Sequence, residues 1–323
     1  MFSELMKDYK IVDPTKMRAN NFLKVQNNIE QQKISSINKG SGWKRISRCP
    51  LCGNIKNKLE FSKHSVEYVC CLNCNVRYAI QIPANLDDVY TSTGYQVYSI
   101  EDSDDNYNYR RERFGRERVS ILETYCGNIT NMHILDVGCG NGYFLSVAME
   151  KSKYCFGTEF SEKLREFTIK KTSLTVYGKQ LDELEPNSFD IITLFDVIEH
   201  IPNPILFFES LDRILRPNGS ILIFTPNFDS FSIRVMKEYS SIVDPTEHIV
   251  LFTFKSLTYL ANHFNYSVIY QETQGMDIIN ILSMMQYKKR RKNDFLILWN
   301  NELQAMINNS LCGDYGRIMY RKK

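Results

Sequence analysis

The sequence predicts an α/β protein, a doubly wound, Rossmann-like and mostly parallel seven-stranded sheet, preceded by a small cysteine-rich module. Three observations carry this. From about residue 132 onward, short β-branched or aromatic runs alternate with stretches of helical periodicity, the pattern of parallel strands joined by right-handed crossovers. One of those runs, His133-Ile134-Leu135-Asp136-Val137, ends in the glycine-rich turn Gly138-Cys139-Gly140-Asn141-Gly142 and opens a helix. Five of the nine cysteines fall between Cys49 and Cys74, and the rest are scattered.

Taken in order, residues 1–42 form a polar, helical or partly ordered extension closed by Lys39-Gly40-Ser41-Gly42. Residues 43–83 hold the cysteine module. Residues 84–125 begin as a Tyr-rich loop and an acidic stretch, then enter a charged helix over 109–125 with Phe114, Arg118, Ile121 and Leu122 on one face. The second domain, 126–323, supplies buried strands at 133–137, 155–158, 174–177, 189–194 and 220–224, each bounded by turn residues. Helices are expected around 142–151, 161–171 and 203–215, and Pro217-Asn218-Gly219 makes a turn into the fifth strand. A loop over 226–254, a helix at 255–264 and strands at 267–271 and 316–320 bring the sheet to seven, with a helical insertion over about 276–312.

Composition sets limits. A chain of 323 residues, 43% hydrophobic and 24% charged, suits one full-sized domain plus a module. A net charge of +3 does not nominate nucleic acid as a partner. No apolar run reaches the ~20 residues of a bilayer span, and MFSELMKDYKIVDPTK lacks the apolar core of a secretory signal. The expected location is therefore cytoplasmic.

Cys49-Pro-Leu-Cys52 and Cys71-Leu-Asn-Cys74 are two CxxC pairs. Each such turn aims two thiolates at one ion, and two turns complete a tetrahedral S4 site of the kind that holds Zn²⁺. Gly53 and Asn75 follow where those turns need a positive φ, and 59–61 with 66–69 supply a hairpin between the pairs. Cys70 is the surplus thiol, because only Cys71 has CxxC spacing to Cys74. Four thiolates leave no open position, so the metal is expected to be structural, a staple for a segment too small to have its own core. The alternative is a docking module for a carrier or RNA.

In open α/β sheets, ligands bind at the carboxyl ends of the strands, and glycines let the backbone approach them closely. Asp136 precedes the glycines here, Glu159 ends the next strand, and Asp196 ends the fourth. A carboxylate at Glu159 suits the ribose of either a nicotinamide or an adenosylmethionine cofactor. LDVGCGNG, GTEFS, FDIITLFDVIEHIPNP and LRPNGSILIFTPN together resemble the motifs of class I S-adenosylmethionine-dependent methyltransferases. Asp244-Pro245-Thr246-Glu247-His248, the CxxC pairs and the closing Gly313-Asp314-Tyr315-Gly316-Arg317-Ile318 resemble a subgroup whose members join an N-terminal zinc ribbon to this domain and often modify glycans or other small metabolites. The resemblance covers roughly residues 45–323. It implies that Gly138, Gly140 and Gly142 form the cofactor turn, that Asp136 meets the methionine ammonium, and that Glu159 holds the ribose. Phe160 flanks the adenine on this reading, and Gln180 stands where relatives carry an acidic adenine contact.

Methyl transfer from a sulfonium is an in-line displacement that, for a hydroxyl acceptor, also needs a base. His248, His200 and Asp196 are the candidates, His248 because its loop faces the same edge of the sheet. Asp196, Glu199 and His200 also have ligand chemistry for a divalent cation, as similar stretches do in metal-assisted catechol and quinone-type O-methyltransferases. Neighbouring residues converge on one ion only through a special turn. The Asp/Asn-Pro-Pro-Tyr/Phe and Pro-Cys or Thr-Cys signatures of base methylation are missing. The expected acceptor is a sugar, glycan precursor or other small molecule. RNA gripped by the ribbon is the alternative, and the slight net charge argues against it. The basic run Lys288 to Lys292 reads either as a phosphate-binding patch or as a solvated helix face.

Overall fold

The computed structural model describes residues 12–13, 16, 22–40, 42–86, 104–178, 180–289 and 301–323. Among them the N-terminal region gives α1 (Phe22–Lys39), followed by β1 (Trp43–Arg45), β2 (Asn57–Lys63), β3 (Val66–Cys71), β4 (Arg77–Ala79) and β5 (Gln81–Pro83). The chain resumes with α2 (Asp104–Arg110), a π-helical turn at Arg111–Gly115 and α3 (Arg116–Cys126). Alternation then begins: β6 (His133–Val137), α4 (Leu145–Ala148), β7 (Tyr154–Thr158), α5 (Glu162–Thr172), β8 (Thr175–Tyr177), β9 (Phe189–Phe195), α6 (Pro204–Ile214) and β10 (Leu215–Pro226). The last part holds α7 (Phe231–Met236), β11 (Val250–Leu251), α8 (Phe254–His263), β12 (Tyr266–Gln274), α9 (Asp277–Lys289), α10 (Asn301–Asn309) and β13 (Tyr315–Lys322).

The large sheet has seven strands in the order β12-β13-β10-β9-β6-β7-β8. Pairings among β10, β9, β6, β7 and β8 are parallel, and β13 runs antiparallel to both its neighbours. Both faces are covered, as a parallel sheet requires. On one side Leu135, Ile192, Leu194 and Ile223 pack with Phe208, Leu211 and Leu257. On the other, Ile134, Ile191 and Leu222 pack with Leu122, Leu145 and Val147. Caps set the helix starts: Ser161 accepts from the Leu164 N–H, Asn203 from Leu206 ahead of Pro204, and Thr253 from Ser256.

The cysteine module does not stand apart. β2, β3 and β4 form a sheet whose fourth strand is β11, from the loop after β10. The Tyr68 hydroxyl donates to the His248 carbonyl at 3.2 Å, the Ala79 N–H donates to Ile249 at 3.0 Å, and Phe61 stacks on Phe228. Tyr68 and Tyr78 thus share one core with Val250, Leu251 and Phe252.

Some elements differ from the sequence expectation. The helix after the glycine turn is short, because Asn141 to Phe144 form turns before α4 begins. Pro217-Asn218-Gly219 lies inside β10, where Asn218 at φ 62° marks a register shift between Leu215 and Ser220. The extension carries an ordered helix, α1, that packs over the candidate site. The expected acidic stretch at 101–103 and the basic residues 290–292 lie outside the described residues. Among the described residues no helix is long and apolar enough to cross a membrane.

Candidate active site

The turn after β6 holds Gly140 at φ 54° and Gly142 at φ 75°. The two serve different ends. A Cβ on Gly140 would meet nothing within 4 Å, whereas one on Gly142 would sit 2.4 Å from Thr168 Cγ2. Gly142 is therefore where α5 closes on the turn, and Gly140 is where the backbone lies open. Beside it is a cavity of about 350 Å³, at the carboxyl ends of β6 and β9.

Gly138, Gly140 and Asp136 line one wall. Asp136 is buried and accepts a 2.6 Å hydrogen bond from the Thr193 hydroxyl, and burial pushes its carboxyl up to about 7. Glu159 sits under the turn, where its two oxygens accept from the Gly140 N–H at 2.9 Å and the Ser161 N–H at 2.8 Å. Burial raises its pKa against those backbone bonds. Asp196, at φ 57° after β9, projects into the cavity. The residue keeps an exposed surface, yet the protein around its carboxyl raises the pKa against the pull of Arg118. Phe160 is 55% exposed beyond β7, and Gln180 caps the Leu181–Glu183 turn. The structure thus brings Asp136, Gly138, Gly140 and Asp196 together at the cavity. It places Gly142, Glu159, Phe160, Gln180, His200 and His248 away from its wall.

Two contributors escaped the sequence reading. Arg118 of α3 is buried, lays its guanidinium 3.9 Å from the Phe195 ring centre, and donates to the Tyr143 hydroxyl. Its only sequence signal is a cation on an otherwise apolar helix face. The other is α1, which covers the cavity with Gln26, Ile29, Glu30 and Lys33. Lys33 pairs with Glu247 and Lys63 with Glu30, the latter at 3.0 Å. Burial, then the nearby Asp244, lifts Glu30 to about 7.

From the loop before β11 it is Asp244 and Glu247 that line the cavity. His200 and His248 meet edge to face, with ring centres 4.9 Å apart. His200 Nδ1 lies 3.1 Å from the Glu247 carbonyl and His248 Nδ1 2.6 Å from that of Ile242. A carbonyl can only accept, so in both rings it is Nδ1 that donates. Burial and the neighbouring His248 hold His200 down to about 3. Glu199 is fully buried, takes a 2.9 Å hydrogen bond from Thr225, and leaves Oε1 without a partner. Ligand-type atoms of Glu199, His200 and His248 lie within 4.8 Å of one another. The turn at Ile198–His200 makes this convergence, with His248 in the place expected for Asp196.

At the far end of the cysteine module, Sγ atoms of Cys49, Cys52, Cys71 and Cys74 also lie within 4.8 Å of one another. Cys49 is 3.5 Å from Cys74 and Cys52 is 3.4 Å from Cys71. A tetrahedral ion with Zn–S bonds of ~2.3 Å sets its sulfurs ~3.8 Å apart, so the donor set fits. A hydrogen bond with the Cys74 thiol lowers the Cys49 pKa. Cys70 points elsewhere, toward the Cys71 carbonyl.

A sequence family described as a methyltransferase domain matches residues 107–271. Among curated proteins, the chain is 24% identical over 143 residues to a ubiquinone biosynthesis O-methyltransferase of Idiomarina loihiensis, covering 41% of this chain and 56% of that protein. It is 28% identical over 121 residues to one of Photobacterium profundum, covering 34% and 50%. The chain thus spans about half the length of these relatives. Among solved structures, magnesium protoporphyrin IX methyltransferase from Synechocystis PCC 6803 with bound SAH aligns at a TM-score of 0.48 and 14% identity, covering 73% of this chain and 97% of that one. A sarcosine dimethylglycine methyltransferase from Galdieria sulphuraria, so titled as a provisional assignment, aligns at 0.46 and 17%, covering 66% and 86%.

Proposed function

Because the chain belongs to the methyltransferase-domain family, we propose that it transfers the methyl group of S-adenosylmethionine to a hydroxyl of a sugar or other small metabolite. The observation that carries this is the cavity beside Gly140, with Asp136 and Arg118 both lining it. A carboxylate and a guanidinium side by side match the ammonium and carboxylate of the methionine moiety. The backbone at Gly138 and Gly140 lets that moiety approach. Glu159 takes the ribose hydroxyls, and Phe160 and Gln180 stand beyond β7 and β8 for the adenine.

In the transfer, a lone pair of the acceptor oxygen attacks the methyl carbon in line with the breaking C–S bond. Sulfur keeps the bonding pair and leaves as S-adenosylhomocysteine. The acceptor's proton goes to Asp196, which projects into the cavity and whose raised pKa makes it a stronger base than an ordinary carboxylate. His248, expected as a base, is close enough for its charge to act on Asp196 and is the alternative acceptor of that proton. The four cysteines hold a Zn²⁺ that keeps the module folded and takes no part in the reaction.

Calorimetric titration with S-adenosylmethionine, and separately with NADH, tests the reading. Saturable binding of the first alone is expected, with loss of affinity in Gly140→Arg. If that variant binds as tightly as the parent, the cofactor lies elsewhere. Asp196→Asn should then keep affinity within a few-fold while turnover drops by about 10²–10⁴, the usual contribution of a positioned base. A full rate in Asp196→Asn with a loss in His248→Ala would move the base to the histidine.

A second reading is favoured by Glu199 Oε1, a buried carboxylate oxygen without a hydrogen-bond partner. A divalent cation on Glu199, His200 and His248 would satisfy it and polarise the acceptor oxygen. Metal analysis decides: two equivalents per chain, falling to one in Glu199→Ala, would establish it, and one in both would dismiss it.

A further inference from the structure

We propose that a second cavity, adjoining the first along α1, seats the acceptor, and that the hairpin tip of the cysteine module selects an uncharged, hydroxyl-rich ring there. This rests on the methyl-transfer reading and adds where the acceptor binds and what it is. The second cavity holds about 240 Å³ and meets the first at Gln26 and Glu30, which line both. Its remaining walls come from three places far apart in sequence: the β2–β3 tip with Ser62 and Lys63, the Tyr239–Ser241 segment, and Tyr287 of α9.

The junction carries the argument. Gln26 Nε2 donates to the Ser241 carbonyl at 2.9 Å, which fixes the amide, while its Oε1 is buried without a partner. A buried amide oxygen left unpaired costs about 1–3 kcal/mol. A hydroxyl donor arriving between the two cavities would meet it, and its neighbouring hydroxyl would then face the cofactor cavity. Lys63 holds the opening in place, because its ammonium reaches the carbonyls of Ser240 and Val243 and the Glu30 carboxylate.

Charge and surface name the class of ligand. Lys63 is taken up by Glu30 and two backbone carbonyls, Lys288 lies over the Tyr239 ring, and burial holds His64 below its ordinary pKa, so each cation on this wall is already engaged. Amide and hydroxyl groups of Gln26, Asn27 and Ser62 share the rest of the lining with the apolar Leu23 and Met284, and Tyr287 keeps 39% of its surface exposed. The ring of Tyr287 beside amide and hydroxyl groups suits a ligand ring with hydroxyls on its edge and C–H bonds on its face.

The test follows label from [methyl-³H]S-adenosylmethionine into an ultrafiltered small-molecule extract of the source cells, with and without prior periodate, which cleaves vicinal diols. The parent protein should label the untreated extract and fail on the oxidised one. Asn27→Trp and Ser62→Trp, which fill the second cavity without touching the first, should each lower incorporation at least tenfold. Their melting curves and S-adenosylhomocysteine affinity should stay within twofold of the parent's. Gln26→Leu should act similarly. Undiminished labelling by both tryptophan variants, or label entering only the macromolecular fraction, overturns the proposal and leaves methyl transfer standing. Undiminished labelling after periodate overturns the ligand class. Cofactor binding with no label in any fraction would instead defeat the methyl-transfer reading.

Discussion

Gly142 sits at φ 75° with Thr168 2.4 Å from where a Cβ would be. Gly142→Ala should therefore cost about 2–4 kcal/mol from strain and overpacking, read as a shift in the urea midpoint. Cofactor affinity should fall with it, because Thr168 Oγ1 donates to the Gly140 carbonyl at 2.8 Å and fixes the turn. Asp136 gives a pH prediction. Its carboxyl is raised to about 7, and the ionised form is the one that pairs with an ammonium, so cofactor affinity should climb between pH 6 and 8. Calorimetry on Asp136→Asn should give a flat profile. The linkage on stability runs oppositely: a raised acid pKa stabilises the unliganded protein at low pH, and that contribution is lost as pH rises through 7. Asp136, Gly138, Gly140 and Asp196 were legible in the sequence because a strand end and a glycine turn are local signals. Arg118, Gln26 and Glu30 were not. Each is an ordinary polar residue in a helical pattern until the fold sets it against a cavity.

Among the elements, the corner between β12 and α9 is held by side chains rather than by apolar burial. Asp277 is buried and accepts from the Ser232 N–H, the Gln304 amide and the Asp314 N–H. Asp314 in turn accepts from the Met276 N–H and the Asn280 amide. Asp277→Ala strands three buried donors at about 1–3 kcal/mol each, so chemical denaturation should show a loss of several kcal/mol. Asp277→Asn, which keeps one acceptor oxygen, should lose less. A buried ion pair, Glu117 to Arg317 at 2.9 Å, ties α3 to β13 in the same way. The strands of the large sheet were legible from their apolar runs. β11 was not, since two residues carry no periodicity, and the helical character of the extension was legible while the surface that α1 covers was not, because nothing local specifies it.

At the scale of the molecule, the cysteine module and the methyltransferase domain share a sheet and a core. They should unfold in a single transition. Cys71→Ser, which breaks the S4 set, should lower the midpoint seen by Trp43 fluorescence in a Trp299→Phe background and by far-ultraviolet dichroism together. Two separated transitions would show that the module folds alone. The CxxC spacing announced the thiolate cluster, but not that its sheet would brace Asp244, Glu247 and His248 at the other end.

The partnership of β4 with β11 also bears on how the chain is made. Tyr68 and His248 are 180 positions apart. At ribosomal speeds of about 5–20 residues per second, the module emerges roughly ten seconds or more before its last strand exists. Through that interval β4 presents an unpaired edge, the kind of surface that recruits other nascent chains. Early capture of metal by the two knuckles would hold the hairpin rigid while it waits. Metal starvation during synthesis should therefore send newly made protein into aggregates, while finished molecules in the same cells stay folded.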